Sequence, residues 1–237
     1  MVKIGIIGGS GLENPELLRD AQELDVDTPY GKPSSTLTSG TINEVDVIII
    51  SRHGKKHEIM PTNVPNQANI HALKEQGVTH ILATSACGSL REDIAPGDFI
   101  IVDQFIDRTT KRPSTFYEKD HVCHLPMAKP FCNHLRKNFQ ESCNTLNYKA
   151  EEKGTVITIE GPRLSTKAES HLWRQWKADV INMSTVPGCV LAREKGICYS
   201  VICMATDYDA FIDGKEANVT DILKVFKDNA ERVKKYF

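Results

Sequence analysis

Charge of one sign is what this chain has least of. Lysine and arginine number 29 against 31 aspartates and glutamates, a formal net charge of -2, and the cations are spread along the sequence. Phosphate-backbone binding needs a basic stripe, so nucleic acid is not an expected partner. Long apolar runs are missing too. None approaches the roughly 20 residues that cross a bilayer, and no membrane partner is expected. The amino-terminal stretch enters Val2-Lys3-Ile4-Gly5-Ile6-Ile7 without a charged leader, an apolar core or a small-residue cleavage site, so no targeting segment is expected. Cysteine does not form a disulfide framework: the count is 7, an odd number, and Cys87, Cys189, Cys198 and Cys203 lie inside apolar segments, which suits reduced thiols. A cytoplasmic location is expected, with the nucleus as a further compartment. The glycosylation patterns at Asn182 and Asn218 carry no weight without a secretory signal.

What remains is an ordinary globular composition. A chain of 237 residues with 40% hydrophobic and 25% charged content buries a full core without staples. Apolar, β-branched runs recur at 2–7, 45–50, 80–84, 98–102, 155–160, 179–182 and 197–205, most of them ending in a small or polar cluster. Helical patterns fall between several of them. One precedes Gly77, with Val64, Ala68, Ala72 and Leu73 on a face; a second begins near Pro187. A third closes the chain through Val219, Ile222, Leu223, Phe226, Ala230, Val233 and Phe237. Near-continuous apolar strands alternating with helices predict an α/β sheet covered on both faces. No repeat, low-complexity segment or linker divides the chain, so a single domain over 1–237 is expected.

Chemistry-bearing residues gather at the predicted strand ends. Asp207-Tyr208-Asp209 follows the last apolar run and places two carboxylates where an α/β sheet binds its ligand. Gly8-Gly9-Ser10-Gly11 follows the first run; its glycines let backbone N–H groups approach an anion, but it lacks the third glycine of a dinucleotide fingerprint. Arg52-His53-Gly54 can offer a planar guanidinium and an imidazole N–H to an oxyanion. Thr84-Ser85-Ala86-Cys87-Gly88-Ser89 and Asn182-Met183-Ser184-Thr185 bring hydroxyls to two further strand ends. Any one of these alone reads as a polar turn. Together they predict a phosphate or phosphate-ester site, since each charge-assisted hydrogen bond is worth about 1.5–3 kcal/mol.

In order and approximate spacing, Gly5-Ile6-Ile7-Gly8-Gly9-Ser10-Gly11, Arg52-His53-Gly54, Ala86-Cys87-Gly88-Ser89-Leu90, the stretch from Pro96 through Asp107 to Thr110, Ile159-Glu160-Gly161-Pro162-Arg163, Asn182-Met183-Ser184-Thr185-Val186-Pro187 and Thr206-Asp207-Tyr208-Asp209 resemble the trimeric purine nucleoside phosphorylases. The likeness is greatest to the 5′-methylthioadenosine phosphorylase branch. It implies a mixed central sheet flanked by helices, a homotrimer, and phosphorolysis of 5′-methylthioadenosine to adenine and 5-methylthioribose 1-phosphate. Inorganic phosphate would be the co-substrate, with no cofactor and no metal. The resemblance puts phosphate against Ser10, Arg52, His53, Ser85, the Ala86 backbone and Ser184. It puts the ribose by Met183 and the base by Leu164, Ser165, Thr206, Asp207 and Asp209, with Asp207 catalytic. His124, Thr220 and Leu223 would surround the 5′ substituent. A carboxylate accepts from an exocyclic 6-amino group, so Asp207 argues for adenine over hypoxanthine or guanine.

Leu164 and Gly188 are among the positions that depart from the family pattern, as are Pro65-Asn66, where Asn-Tyr is common, and the short loop between Tyr117 and His124. Leu164 stands where a phenylalanine usually stacks on the base, a loss of about 0.5–1.5 kcal/mol, and Gly188 replaces a glutamate at the start of a predicted helix. Two alternatives therefore stand beside the main reading: a 6-oxopurine nucleoside phosphorylase, and a non-catalytic nucleoside-binding relative. The cluster His121, Cys123, His124, Cys132 and His134 has no zinc-finger spacing, and no metal is expected there.

Overall fold

β-Branched runs and helical stripes alternate along most of the chain, and the strands assemble into one mixed sheet. The structure is a computed structural model. It describes residues 2–9, 17–119 and 121–215, and towards the carboxyl end 217, 218, 220, 222, 224, 225, 228 and 232. The strands are β1 (Lys3–Gly8), β2 (Arg19–Leu24), β3 (Leu37–Ile42), β4 (Val45–Ser51), β5 (His80–Ser89), β6 (Phe99–Ile101), β7 (Gln104–Asp107), β8 (Ala150–Glu151), β9 (Thr155–Thr158), β10 (Val180–Asn182) and β11 (Cys198–Asp207). The helices are α1 (Asn66–Glu75), α2 (Asn133–Thr145), α3 (Lys167–Gln175) and α4 (Gly188–Glu194). One path through the sheet runs β2-β3-β4-β1-β5-β10-β9-β7, and a branch leaves β5 through β11 and β6 to β8. β1 with β4, β5 with β1 and β11, and β9 with β7 and β10 are parallel, whereas β3 with β4 and β10 with β5 are antiparallel.

Both faces are covered, as the continuous apolar runs predicted. Along β11, Val201, Cys203 and Ala205 join Ile70, Leu73, Leu191 and Ala192 of α1 and α4, while Ile202 and Met204 face Phe139 and Cys143 of α2. Successive strand residues point to opposite faces, so one strand feeds two cores. Fully burying a Val, Leu, Ile, Phe or Met side chain among these contributes about 1.5–3 kcal/mol. α1 stops where expected: Gly77 takes φ +80 and donates to Lys74 O at 2.9 Å. α4 starts at Gly188 as predicted, and a side chain there would meet nothing nearer than Tyr199 Oη at 3.7 Å. The predicted closing helix is represented by Thr220, Ile222, Lys224, Val225, Asp228 and Arg232, which are helical; its positions Val219, Leu223, Phe226, Ala230, Val233 and Phe237 lie outside the described residues. All seven cysteines are free thiols. Cys198 is exposed despite its apolar neighbours, because it is the first residue of β11.

Candidate active site

The site lies where two strands part. β1 pairs with β5 from Ile4↔His80 to Ile7↔Ala83, and β10 takes the same edge only at Gly88 and Ser89. Between those pairings Thr84 to Cys87 border an opening at the carboxyl end of β1, the position at which α/β sheets bind ligands. Arg52, just beyond β4 and buried at 5% exposure, sits in this fork. Its Nη2 donates to Ile7 O at 3.1 Å and to Thr84 O at 2.8 Å, so one guanidinium nitrogen clamps both diverging strands. On the other edge of β5, the register with β11 shifts between Ala205 and Asp207. The extra residue, Thr206, bulges, and bulges commonly re-aim the side chain that follows.

A cavity of about 290 Å³ fills the fork. On one side of it the hydroxyls of Ser85 and Ser184 are 2.8 Å apart. Asn182 Nδ2 donates to Ser85 Oγ at 3.0 Å and to Thr185 Oγ1 at 2.7 Å, while its Oδ1 accepts from Thr158 Oγ1 at 2.9 Å. This buried amide ties β5, β9 and β10 together and orients the serine pair. Nδ1 of His53 lies 2.9 Å from Ile59 O, so in the neutral ring it carries the proton and donates it there. The sequence had suggested an N–H offered to an anion. The fold instead commits the Nδ1 proton to Ile59 O, and Nε2 bears a proton only when the ring is charged. Burial, then the Arg52 charge, pushes His53 down to about 4 from its ordinary 6.5.

Asp207 lines the same cavity. Its Oδ1 accepts from Asp209 N at 2.7 Å and its Oδ2 lies 2.7 Å from Thr206 Oγ1, which is also 3.2 Å from Cys87 O. Burial raises the Asp207 carboxyl above the usual carboxylate range, against the lowering effect of those two donors. Asp209 is raised by burial as well. The hydroxyls of Ser170 and Ser165 draw it partly back, yet neither closes a hydrogen bond of normal geometry to Oδ2.

Of the residues singled out in the sequence, Arg52, His53, Ser85, Ala86 and Ser184 line this one cavity, and so do Leu164, Met183, Thr206 and Asp207. Ser165 and Asp209 line an adjoining cavity that shares Leu164 as its wall. His124 and Thr220 are exposed and line neither. Ser10 and Leu223 lie outside the described residues. Sequence reasoning passed over His57, Pro61 and Ile222, which also line the cavity, and the organising role of Asn182. Asn182 stood in a quoted motif, but its role depends on Thr158, 24 positions away.

The wall formed by Met183 depends on Gly161. That glycine has φ +72, and a methyl group built on it would overlap the Met183 sulfur. Gly161→Ala is therefore expected to lower stability by about 1–2 kcal/mol through backbone strain and to raise the KM for nucleoside. Thermal unfolding with steady-state kinetics checks both; an unchanged KM would show that Met183 relocates without consequence.

The family model described as "Phosphorylase superfamily" matches residues 3–237. S-methyl-5'-thioadenosine phosphorylases of Danio rerio and Xenopus tropicalis are each 56% identical to the chain, over 98% of it and 85% of their own length. A solved structure of methylthioadenosine phosphorylase from Schistosoma mansoni in complex with adenine superposes with a TM-score of 0.96 at 38% identity, covering 100% of this chain and 89% of that one. A mutant of the same organism's adenosine/methylthioadenosine phosphorylase, in complex with methylthioadenosine, superposes with a TM-score of 0.93. With a matching model over nearly every residue and relatives more than half identical, the chain belongs to the phosphorylase superfamily.

Proposed function

We propose that the protein cleaves 5′-methylthioadenosine with inorganic phosphate, releasing adenine and 5-methylthioribose 1-phosphate. The observation that carries this reading is that the half-buried Asp207, with its raised pKa, lines one cavity together with the Ser85–Ser184 pair and Arg52–His53. The names of the relatives, and the ligands of the Schistosoma mansoni structures, point the same way. Phosphate arrives as an anion and needs no base; the serine hydroxyls and the Arg52 charge hold it beside the anomeric carbon. As the bond to the purine breaks, its electron pair passes into the ring. A protonated Asp207 donates to the ring nitrogen and stabilises the leaving group. Adenine leaves with that proton, and the proton that hydrogen phosphate gives up on joining the anomeric carbon returns Asp207 to its acid form. Thr206 suits this cycle because its single proton can turn from Asp207 Oδ2 to Cys87 O when the carboxyl is protonated. Phosphate is the only co-reactant in this scheme, and turnover should survive a chelator.

Supplying purified protein with 5′-methylthioadenosine, with and without phosphate, is the direct test. Adenine released only with phosphate supports the reading. Nucleoside binding without release would favour a non-catalytic relative, and faster release of hypoxanthine from inosine a 6-oxopurine enzyme. A homotrimer in the cytoplasm belongs to the same proposal. His124 and Thr220 are exposed and outside the cavity of their own chain, which leaves them available to a neighbouring copy. Sedimentation equilibrium and cell fractionation check these two points.

His53 gives this site a pH signature. Its folded pKa of about 4 lies below the ordinary 6.5, so as pH falls through that window the unfolded chain takes up the proton first and stability declines. Asp207 and Asp209, raised above 3.8, act in the opposite sense on the acid side. The His53→Asn variant is therefore expected to lose less Tm than wild type between pH 6.5 and 4. Phosphate, by favouring the charged ring, should flatten the wild-type decline. Parallel Tm curves for the two proteins would remove His53 from the account.

A further inference from the structure

Arg112 lies outside every motif singled out in the sequence, yet its side chain is 2% exposed and all five of its N–H groups are engaged. Nη1 donates to Met183 O and Val186 O, both at 2.8 Å. Nη2 donates to Ile159 O at 3.2 Å and Glu160 O at 2.9 Å, and Nε donates to Glu160 Oε2 at 3.2 Å. Each terminal nitrogen thus serves one strand end: Nη1 the segment leaving β10, Nη2 the segment leaving β9. The Glu160 carboxylate closes the circuit, since its Oε1 accepts from Thr110 N at 2.6 Å and Lys111 N at 2.7 Å, next to Arg112 in the chain. Thr62 extends it, with Oγ1 3.1 Å from both Glu160 O and Oε2.

We propose that Arg112 is a positioning residue for the reaction: its guanidinium holds the segments leaving β9 and β10 at a set separation, and so sets Met183 and Ser184 against the loop carrying Leu164 and Ser165. With every donor committed to protein acceptors, it has none for substrate or phosphate, so it acts only through the groups it holds. A planar fork with five fixed donors is suited to this and an ammonium is not. Lysine has three donors at one point and cannot span four carbonyls belonging to two segments. The carbonyls are the reason the effect reaches the site. Met183 O belongs to the peptide whose N–H is that of Ser184, so a shift at the carbonyl moves the start of the Ser184 residue with it.

The kinetic part of the test rests on the phosphorolysis reading; the exchange part does not. Arg112→Lys keeps the charge opposite Glu160, and Arg112→Gln serves as a second variant. Phe139→Leu, which changes the α2 face of the sheet away from the cavity, is the destabilised control. In amide hydrogen exchange well below each Tm, Arg112→Lys is expected to speed exchange about tenfold in peptides covering 159–165 and 183–187, the size of one charge-assisted bond lost. Peptides from β5 should be unchanged. Turnover is expected to fall about 100-fold, as for an ångström-scale misplacement, with a rise in the KM for phosphate; the control should lose Tm without losing turnover. Unchanged exchange in the two segments, or a turnover loss no greater than the control's at equal Tm loss, would overturn the proposal. If the wild-type protein releases no adenine, the phosphorolysis reading fails, and exchange alone decides whether Arg112 holds the two segments.

Discussion

Asp207→Asn is expected to lower the turnover of 6-aminopurine nucleosides by about 100-fold or more, the usual contribution of a positioned acid. It should also shift preference towards 6-oxopurines. The substitution is nearly isosteric, and the environment tolerates it. The amide oxygen can still accept from Asp209 N, and the new N–H₂ can donate to Thr206 Oγ1, whose own proton turns to Cys87 O. Stability should hold or rise slightly, because a carboxyl whose ionised form burial disfavours has been removed. The effect is therefore chemical. An amide has no proton to give to a leaving purine, and its N–H₂ faces an exocyclic amino group as a second donor, where a 6-oxo group would accept. The check is the ratio of kcat/KM for adenine and hypoxanthine nucleosides carrying the same 5′ group. A ratio equal to that of wild type would place Asp207 away from the base.

Arg52→Met should act on phosphate and on the fold together. Losing the guanidinium leaves Ile7 O and Thr84 O without that donor in the strand fork, at a cost of about 1–3 kcal/mol for each buried acceptor left unsatisfied. It also removes the cation nearest the expected anion. The KM for phosphate is expected to rise about 100-fold, equivalent to one strong charge-assisted bond, whereas adenine affinity should change little because Asp207 and its partners stay in place. A second consequence separates charge from packing. The Arg52 charge is one of the causes holding His53 low, so the His53 pKa should rise in the variant, readable by NMR titration of the ring. A fall in Tm with unaltered phosphate KM would restrict Arg52 to clamping strands.

Legibility in the sequence followed the physical origin of each element. Strands buried on both faces, such as β5 and β11, carry their pattern in their own residues and stood out as apolar runs. β2, with five of its six residues exposed, and the two-residue β8 form because a partner supplies their hydrogen bonds, and no apolar pattern announces them. α2 presents only Leu135, Phe139 and Cys143 to the core and has no side-chain N-cap, so its stripe is thin. α3 has a clear local start, the Thr166–Glu169 capping box, with Arg163 paired to Glu169 at 2.7 Å; pairing of that kind holds the Glu169 carboxyl down to about 2. That signal was present in the sequence, and it anchors the loop carrying Leu164 and Ser165.

By itself the sequence determined the strand ends, the residue types at them and the family resemblance, because strand periodicity and turn chemistry are local and several motifs in register are specific. Tertiary structure decided the rest. It splits β5 between β1 and β10 to open the cavity, joins Asn182 to Ser85 across 97 positions and Arg112 to Met183 across 71, and commits the His53 Nδ1 proton to Ile59 O. It also places Asp207 in the cavity and Asp209 in its neighbour. Those outcomes are set by burial and by hydrogen bonds between distant segments, which exist only once the strands have paired and water has been excluded from between them.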